Sequence, residues 1–466
     1  MSIITGLTRM WLTRQLKPFL FTDEFDRLLP FAECKNLGLY IHVPFCKSIC
    51  NFCPYCKVVY SEEVCDRYVD ALIKEIHMVG GGRIVCGGSS SPERAGTAGE
   101  ESSASPGTAE EESSASPGTA EGESSPSPEV PGAGKKMVTS LYFGGGTPAL
   151  AVDRMAEIIE VVRKYFVITE GIGVELHPDN VTVPVLRALK DAGVTKVSIG
   201  IQSFQEKYQS VLGRKTVDLE AMAAALGAVK FETVSMDFIF ALPGQSFEDL
   251  KIDVDTAFAN GANHVAIYPF IDFTFTSSRV VAMPKKEKRK LLDDITKYCL
   301  GKGYARSSIW TFAKERDACY SSMTRDNFLG FGCSATTLLK EQFKINTFSV
   351  EEYCRRIDDG VLPTSLTLRF SLRQRMVYYL FWTAYGTRVN AADFEEFFGI
   401  PLKKMYGFEL MAAKLLGFVT EAEGVYEMTL KGAFYYHYYE NFYTLSYIDK
   451  MWGIMRKEAF PEQIRL

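Results

Sequence analysis

Short runs rich in β-branched and aromatic residues alternate with longer segments whose apolar residues recur at helical spacing. Six of these runs predict strands, at residues 38–43, 140–143, 173–176, 196–199, 233–239 and 264–268. Helices are predicted between them, among others at residues 63–78, 152–165, 183–191 and 219–229. Strands that alternate with helices are typical of parallel sheets, so we predict an α/β fold built as an incomplete parallel (βα)6 barrel. Reactive groups in such a barrel lie at the carboxyl ends of the strands.

The pattern changes near residue 366 to helices that are rich in aromatic residues. Residues 416–430 resemble a small β-hairpin between two helices, which is the outline of a winged-helix-like domain. We therefore predict three parts, listed in chain order. They are an N-terminal helical segment at 1–36, the barrel at 37–340 and a helical, winged-helix-like C-terminal domain at 341–466.

Composition changes this picture at one segment, residues 87–134. The segment EESSASPGTAE begins at Glu100 and again at Glu111, and the stretch contains nine Glu, one Arg and no aromatic residue. Such a sequence cannot bury a core, so we predict a disordered acidic insertion in the barrel and assign it no chemistry. Without this segment the chain is close to neutral, and we expect no nucleic-acid partner.

The chain contains 11 cysteines but shows neither a signal-peptide cleavage pattern nor an apolar run of about 18 residues. We therefore expect a cytoplasmic protein with no transmembrane segment. In that compartment clustered cysteines indicate metal binding or catalysis rather than disulfides.

Three cysteines directly follow the first predicted strand, with the spacing C-x3-C-x2-C: Cys46, Cys50 and Cys53. Three thiolates this close can bind three irons of a [4Fe-4S] cluster and leave the fourth iron open to a ligand. The alternative is a structural zinc site, which takes four ligands and would use Cys56 as the fourth. The position at the carboxyl end of a strand favours the cluster.

The cysteine spacing resembles that of the radical S-adenosylmethionine (SAM) enzymes. The segments YIHVPFC, FGGGTP, VSIGIQSF, the pair Gly213–Arg214 and MDFIFALPGQ occur in the order seen in the oxygen-independent coproporphyrinogen III oxidase family. The resemblance covers residues 37–334 apart from the insertion, and it implies a radical-SAM barrel.

The resemblance implies a [4Fe-4S] cluster on Cys46, Cys50 and Cys53, together with one or two SAM molecules. An electron from the reduced cluster would split SAM into methionine and a 5'-deoxyadenosyl radical. The implied partners are a small-molecule substrate, either a porphyrinogen or another aromatic compound, and a low-potential electron donor such as flavodoxin or ferredoxin.

The resemblance also implies SAM contacts, most of which lie in or shortly after the predicted strands. Glycines would let the backbone approach the cofactor, and amide and guanidinium groups suit its carboxylate and ribose. The aspartate would serve a second SAM or the substrate side, whereas the glutamate could instead form an ion pair at the barrel rim. The candidates are Tyr40, Gly144, Gly145, Gly146, Thr147, Glu175, Gln202, Arg214, Asp237 and Ile239, and no catalytic residue is assigned.

Two departures from the family pattern leave the reaction open. Cys56 is displaced by one residue from the position of the second cysteine in the family's C-G-C motif. After the sixth strand, FIDFTFTSSR replaces the family's Pro- and Gly-rich sequence. The first hypothesis is oxidative decarboxylation of porphyrinogen propionates to vinyl groups, as in porphyrin biosynthesis. The second is a radical SAM methyltransferase that uses two SAM molecules on an aromatic or quinone-like acceptor. The third is a heme carrier or chaperone without turnover, although no HNxxYW-type motif is found.

Overall fold

The structure, a computed structural model, describes residues 10–11, 14, 18–24, 29–82, 134–278, 280–315 and 326–466, with residues 440–442 described by their backbone alone. The predicted acidic insertion falls outside the described residues except for Gly134, as does half of the predicted N-terminal helical segment. In the described parts of the chain, no helix combines the length and apolar character needed to cross a bilayer.

The described strands and helices are numbered in chain order. The strands are β1 (Leu20–Thr22), β2 (Leu37–Val43), β3 (Phe45–Cys46), β4 (Val58–Val59), β5 (Lys136–Val138), β6 (Leu141–Gly145), β7 (Phe166–Ile168), β8 (Ile172–Leu176), β9 (Lys196–Gln202), β10 (Thr233–Phe240), β11 (His264–Pro269), β12 (Ala305–Arg306), β13 (Thr311–Ala313), β14 (Asn327–Phe331), β15 (Thr336–Leu338), β16 (Gln342–Asn346), β17 (Thr364–Arg369), β18 (Arg388–Asn390), β19 (Val419–Ala422), β20 (Val425–Met428) and β21 (Gln463–Arg465). The helices are α1 (Glu62–Gly80), α2 (Val152–Tyr165), α3 (Val183–Asp191), α4 (Glu206–Val211), α5 (Leu219–Ala228), α6 (Phe247–Ala259), α7 (Lys285–Gly301), α8 (Val350–Asp358), α9 (Leu372–Tyr385), α10 (Ala391–Phe398), α11 (Leu402–Leu415), α12 (Leu430–Tyr443) and α13 (Asp449–Met455). Short 3-10 helices at Pro148–Ala151 and Pro178–Asn180 and a π-helix at Thr444–Ile448 complete the described elements.

The predicted barrel is confirmed. Strands β2, β6, β8, β9, β10 and β11 lie side by side in chain order, and every neighbouring pair is parallel. A seventh parallel strand, β14, pairs with the other side of β2. Beyond β11 the next strand is the antiparallel β13, and beyond β14 it is the antiparallel β15. Among the described strands the parallel arc therefore stays open, as predicted for an incomplete barrel.

The residue pattern explains these elements. Strand β2 reads LGLYIHV, and six of its seven residues are buried, as expected for a strand covered on both faces. Helix α2 buries Met155, Ile158, Ile159 and Val162, which recur at helical spacing. Helix α6 begins with a capping box, in which Ser246 and Asp249 each accept a hydrogen bond from the other's backbone N–H.

The C-terminal part contains the predicted winged-helix-like arrangement. Helices α9, α10 and α11 pack beside a small antiparallel sheet with the strand order β18-β20-β19. The hairpin between β19 and β20 turns at Glu423 and Gly424, whose φ angles of 51° and 79° are those of a type I′ turn. This part has a core of its own, formed by Met376, Tyr379, Phe394, Phe398, Leu402, Tyr406 and Tyr426.

The division of the chain into domains stays a prediction. The large sheet continues past residue 341 through β16 and β17, and then through β1 and β21. Strand β1 lies inside the predicted N-terminal helical segment, and its Phe21 contacts Phe343 of β16. The winged-helix-like arrangement itself begins only with α9.

Candidate functional site

A cavity of about 1980 Å³ lies at the carboxyl ends of the barrel strands, between the barrel and the C-terminal helices. Backbone and side chains from β6, β8, β9, β10 and β11 form its inner wall. Ligand pockets for drug-sized molecules usually measure about 300–1,000 Å³. This cavity therefore has room for two ligands, or for one ligand much larger than usual.

The segment from β3 to β4, the cysteine loop, contains four cysteines, three of which line the cavity while the fourth does not. Its ends are held together because Val58 N–H donates to Pro44 O at 2.8 Å and Tyr60 N–H donates to Cys46 O at 2.9 Å. The half-buried Cys46, Cys50 and Cys53 all line the cavity. The fourth, Cys56, is buried outside the cavity wall, where its Sγ donates to the carbonyl oxygen of Phe348 at 3.2 Å. The structure thus brings together the three residues predicted to bind a cluster and keeps the fourth apart.

Polar groups surround the three thiols. Arg214 Nη1 lies 3.6 Å from Cys50 Sγ, and Thr147 Oγ1 lies 3.9 Å from Cys46 Sγ. Burial raises the pKa of Cys46 to about 11, although the Thr147 hydroxyl lowers it. A metal bound there would have to displace the thiol proton. A cationic guanidinium next to sulfur and three thiols on one wall fit an anionic iron–sulfur cluster.

Gly144 and Gly145 end strand β6 and Gly146 follows it directly, and packing explains two of these three glycines. A Cβ on Gly145 would lie 2.5 Å from the His42 ring, and its φ of +114° favours glycine. A Cβ on Gly146 would lie 2.5 Å from the carbonyl oxygen of Phe45. The glycines let β6 pack tightly against the start of the cysteine loop. Gly145, Gly146 and Thr147 also line the cavity.

Two carboxyl groups face the barrel interior. Glu175 accepts hydrogen bonds from Gly145 N–H and Tyr142 Oη, each at 3.0 Å. Asp237 accepts from Ser198 Oγ at 2.7 Å and from Ser235 Oγ at 3.1 Å. Burial raises the pKa of Asp237 to about 7, and the nearby Glu175 adds to this increase. Asp237 can therefore gain or lose a proton near neutral pH, as acid–base chemistry requires.

The carboxyl end of β9 is strained. Gln202 adopts a left-handed φ of +70°, and the register between β9 and β10 shifts at Asp237. Strained backbone of this kind clusters at functional sites. Arg214 is held beside it, because its Nη2 donates to Gly200 O at 2.6 Å. Gln202 and Arg214 line the cavity, as does Ile239.

Two predicted cofactor contacts lie behind the cavity wall. Tyr40 stacks on Tyr142 with ring centroids 6.3 Å apart, and Tyr142 is the ring that lines the cavity. Gly144 packs against the same layer, since a Cβ there would lie 3.0 Å from the Tyr40 ring and 3.1 Å from Glu175. Neither Tyr40 nor Gly144 is among the residues of the described cavity wall.

The structure also adds site residues that sequence reasoning missed. Ser198 and Tyr268 line the cavity from β9 and β11. The sequence contains a signal that could have identified Ser198. Side chains two residues apart in a strand share a face, and Ser198 precedes Gly200 and Gln202 at this spacing. His177 lines the cavity too, and burial lowers its pKa to about 4.

The outer wall of the cavity is aromatic and comes largely from segments distant in sequence. Trp452 of α13 stacks on Phe273 with centroids 6.3 Å apart and contacts Tyr55 of the cysteine loop at 6.1 Å. Trp310 and Tyr385 meet at 5.4 Å on another side of the cavity. Broad aromatic faces of this kind suit a large, flat or macrocyclic ligand.

Comparisons with known proteins agree with this geometry. A family model described as the Radical SAM superfamily matches residues 129–257. The heme chaperone HemW of Bacillus subtilis is 21% identical over 410 residues, which cover 84% of this chain and 95% of HemW. The oxygen-independent coproporphyrinogen III oxidase of Cereibacter sphaeroides is 25% identical over 356 residues, 70% of this chain and 68% of that protein.

A solved structure shows the same fold along nearly the whole chain. Coproporphyrinogen III oxidase (HemN) from Escherichia coli, a radical SAM enzyme, matches with a TM-score of 0.68 and 18% identity. The match covers 93% of this chain and 96% of that one. The likeness therefore extends over the barrel and the C-terminal helices together.

Proposed function

We propose that this chain, which belongs to the radical SAM superfamily and to its HemN-like branch, is an enzyme that acts on a tetrapyrrole. Its cofactors are those of the family, a [4Fe-4S] cluster and SAM. The observation that carries the proposal is the cavity, which is lined by three cysteines and by broad aromatic walls. Its volume of about 1980 Å³ is about twice the upper end of ordinary ligand pockets, enough for SAM and a second large ligand together.

The two kinds of cavity lining suit different tasks. When bound, the cluster and SAM supply a 5'-deoxyadenosyl radical. Cys46, Cys50 and Cys53 would hold the cluster, and Gly145 and Gly146, which line the cavity beside them, would present backbone atoms to the amino acid end of SAM. Gln202 and Arg214 offer amide and guanidinium donors for carboxylate and hydroxyl groups. The aromatic wall would exclude water, which a reactive radical requires.

The reaction that we propose first is oxidative decarboxylation of a porphyrinogen propionate. The similarity to oxygen-independent coproporphyrinogen III oxidase supports it. Asp237 and His177 would face the substrate side, where Asp237 can gain or lose a proton near neutral pH. A low-potential electron donor such as flavodoxin or ferredoxin would reduce the cluster.

Methyl transfer with two SAM molecules is the second candidate. The observation that favours it is the position of Asp237 and Ile239 on the same wall as Arg214 and Gln202, which leaves polar groups for a second cofactor. Heme carriage without turnover is the third candidate, and the similarity to HemW supports it.

Mass spectrometry of the SAM products distinguishes the three. The anaerobically reconstituted full chain is given SAM, a low-potential reductant and either coproporphyrinogen III or heme. We expect 5'-deoxyadenosine together with loss of carbon dioxide from the porphyrinogen. S-adenosylhomocysteine formed in addition would support methyl transfer, and heme binding with neither product would support the carrier. Cys46→Ala should abolish product, whereas Cys299→Ala, a buried cysteine of α7, is the matched control.

A further inference from the structure

Three potential metal ligands meet behind the cysteine loop. His42 lies in β2, Cys56 near the end of the loop, and Cys333 two residues after β14. One ligand atom from each of the three lies within 4.8 Å of the others, and all three residues are buried. Residues from three separate parts of the chain thus form a histidine–dithiol cluster.

This cluster is separate from the cavity. Cys46, Cys50 and Cys53 line the described cavity wall, whereas His42, Cys56 and Cys333 do not. Because Cys56 turns toward Phe348 instead, the loop offers two sets of thiols on opposite sides. One set faces the cofactors, and the other faces the interior between β2 and β14.

A hydrogen-bond network holds two of the three ligands in place. Tyr68 Oη donates to His42 O at 2.7 Å and accepts from Cys333 N–H at 3.0 Å, so it ties β2 to the end of β14. The preceding Gly332 donates its N–H to Glu75 at 2.7 Å. Supported ligands of this kind are typical of metal sites, where outer partners fix the orientation of the inner ones.

The imidazole of His42 has a partner at each nitrogen. Nδ1 lies 3.1 Å from Tyr40 Oη, and Nε2 lies 3.0 Å from the carbonyl oxygen of Cys56. Without metal, Nε2–H donates to that carbonyl. In the other tautomer the proton is on Nδ1 and is donated to Tyr40 Oη, so the lone pair of Nε2 points at the carbonyl oxygen of Cys56. These two lone pairs repel each other unless a cation binds between them. Tyr40 would then orient the histidine as its hydrogen-bond partner.

We propose that His42, Cys56 and Cys333 bind a zinc-type divalent ion at a site distinct from the iron–sulfur cluster. Two thiolates and one imidazole are ligands that Zn²⁺ prefers, and the carbonyl of Cys56 lies close enough to Nε2 to complete the shell. Binding releases the two thiol protons, so Zn²⁺ with two thiolates is neutral overall. A neutral site suits a buried position, where an uncompensated charge would be costly.

Such an ion would fasten the return of the cysteine loop to the barrel. Cys56 follows Cys53 by three residues, whereas His42 and Cys333 belong to the adjacent parallel strands β2 and β14 or their ends. The site would therefore fix the loop from the side opposite to the cofactors. The proposal does not depend on which reaction takes place in the cavity.

The test measures iron and zinc in the same samples. The full chain, reconstituted anaerobically with iron, sulfide and one equivalent of Zn²⁺ and then desalted, is analysed by mass spectrometry of the metals. We expect about four irons and one zinc per chain. Cys333→Ala and Cys56→Ala should lose the zinc and keep the iron, whereas Cys46→Ala should lose the iron and keep the zinc. Cys299→Ala, the matched buried cysteine, should keep both.

A second measurement covers variants that fail to fold. Co²⁺ added to the unsubstituted, cluster-loaded chain, in which the cluster occupies Cys46, Cys50 and Cys53, should give cobalt absorption bands with the intensity of two sulfur ligands, and Zn²⁺ should abolish them. The affinity of Cys333→Ala for Co²⁺ should fall by more than about 100-fold, since even outer partners of a metal site contribute 10–100-fold. The proposal is wrong if the chain retains no zinc, if zinc survives in Cys333→Ala, or if peptide mapping finds a Cys56–Cys333 disulfide. Because metal content is the readout, failure here is distinguishable from failure of the proposed reaction.

Discussion

Asp237 is the carboxyl group of the site with a pKa near neutral pH. It sits in the barrel between two hydroxyl donors, Ser198 and Ser235, and Ser235 Oγ is in turn 2.9 Å from Nδ1 of the buried His264. A hydroxyl group can both donate and accept a hydrogen bond, so Ser235 can pass a proton from Asp237 toward His264, or the proton can stay on Asp237. The residue combines a cavity position with a pKa raised to about 7.

This shift predicts how stability depends on pH. An aspartate in the unfolded chain has a pKa of about 3.9, so folding takes up a proton on Asp237 between about pH 4 and pH 7. The stabilisation from this group is complete below pH 4 and is lost as the pH rises through 7. Asp237→Asn removes the ionisable group, so its unfolding free energy relative to the unsubstituted protein should rise between pH 5 and pH 8.

The expected rise amounts to a few kcal/mol, since one pKa unit corresponds to about 1.4 kcal/mol. Urea denaturation of both proteins at pH 5 and pH 8 measures it. An unchanged difference between the two pH values would mean that Asp237 is solvated and ionised throughout. Asp179→Asn, on the exposed rim of the cavity, is the control for a simple loss of charge.

At the scale of elements, the end of strand β6 decides how closely the cysteine loop packs. Gly146 leaves no room for a side chain, because a Cβ would lie 2.5 Å from Phe45 O and 2.8 Å from the carbonyl carbon of Pro44. Both contacts are with backbone atoms, which cannot move away by a change of rotamer as a side chain can. Phe45 directly precedes Cys46, a predicted cluster ligand, in β3, so any displacement there would reach the predicted cluster site.

Gly146→Ala should therefore destabilise the protein by about 1–3 kcal/mol, the usual cost of overpacking, and lower its iron content. The matched control is Gly227→Ala in α5, where a Cβ meets nothing within 4 Å. That change should stabilise the protein by about 0.5–1 kcal/mol, because alanine favours a helix. Urea denaturation and iron analysis of both variants provide the check. Equal effects of the two substitutions would contradict the packing argument.

The sequence could predict the barrel elements closely but not all of the site. Helices α2 and α3 have the predicted bounds, because their apolar periodicity is strong and each is followed by a strand. Strand β14 was missed as a barrel strand, since its pairing with β2 joins residues almost 300 positions apart. The aromatic wall was missed for the same reason, because Trp452, Phe273 and Tyr55 meet only through tertiary packing.

At the scale of the whole molecule, the C-terminal helices and the barrel close the cavity together. Asp449, the first residue of α13, accepts hydrogen bonds from both the N–H and the hydroxyl of Thr274, each at 2.8 Å. Thr274 lies in the segment FIDFTFTSSR, where the sequence departs from the family pattern. The segment that departs from the family pattern therefore lies at the joint, the contact between the barrel and the C-terminal helices. There it is next to Phe273 and Trp452 in the cavity wall. A change of substrate would be encoded at this joint while the cofactor end stays the same.

The described residues that flank the acidic repeats lie at the end opposite to this joint. Helix α1 runs back from the cysteine loop and ends at Gly80, and the chain is described again shortly before β5, which precedes the amino end of β6. The described residues on either side of the segment therefore lie at the amino ends of the barrel strands, whereas the cavity lies at their carboxyl ends. Removing the segment should leave the cavity and both proposed metal sites intact.

Replacing residues 87–133 with a short Gly-Ser linker of about six residues tests this arrangement and keeps Cys86. Closing a loop of about 50 residues costs more entropy than closing one of six, by about 2 kcal/mol, so the shortened protein should be slightly more stable. Iron content and the rate of SAM cleavage should match those of the full chain. A linker of the original length made of Gly and Ser separates the effect of length from that of acidic charge. If the shortened protein loses iron or SAM cleavage while the neutral long linker keeps them, the repeats act as a spacer. If both lose them, the acidic sequence itself takes part in function, and the view of it as a tolerated insertion is wrong.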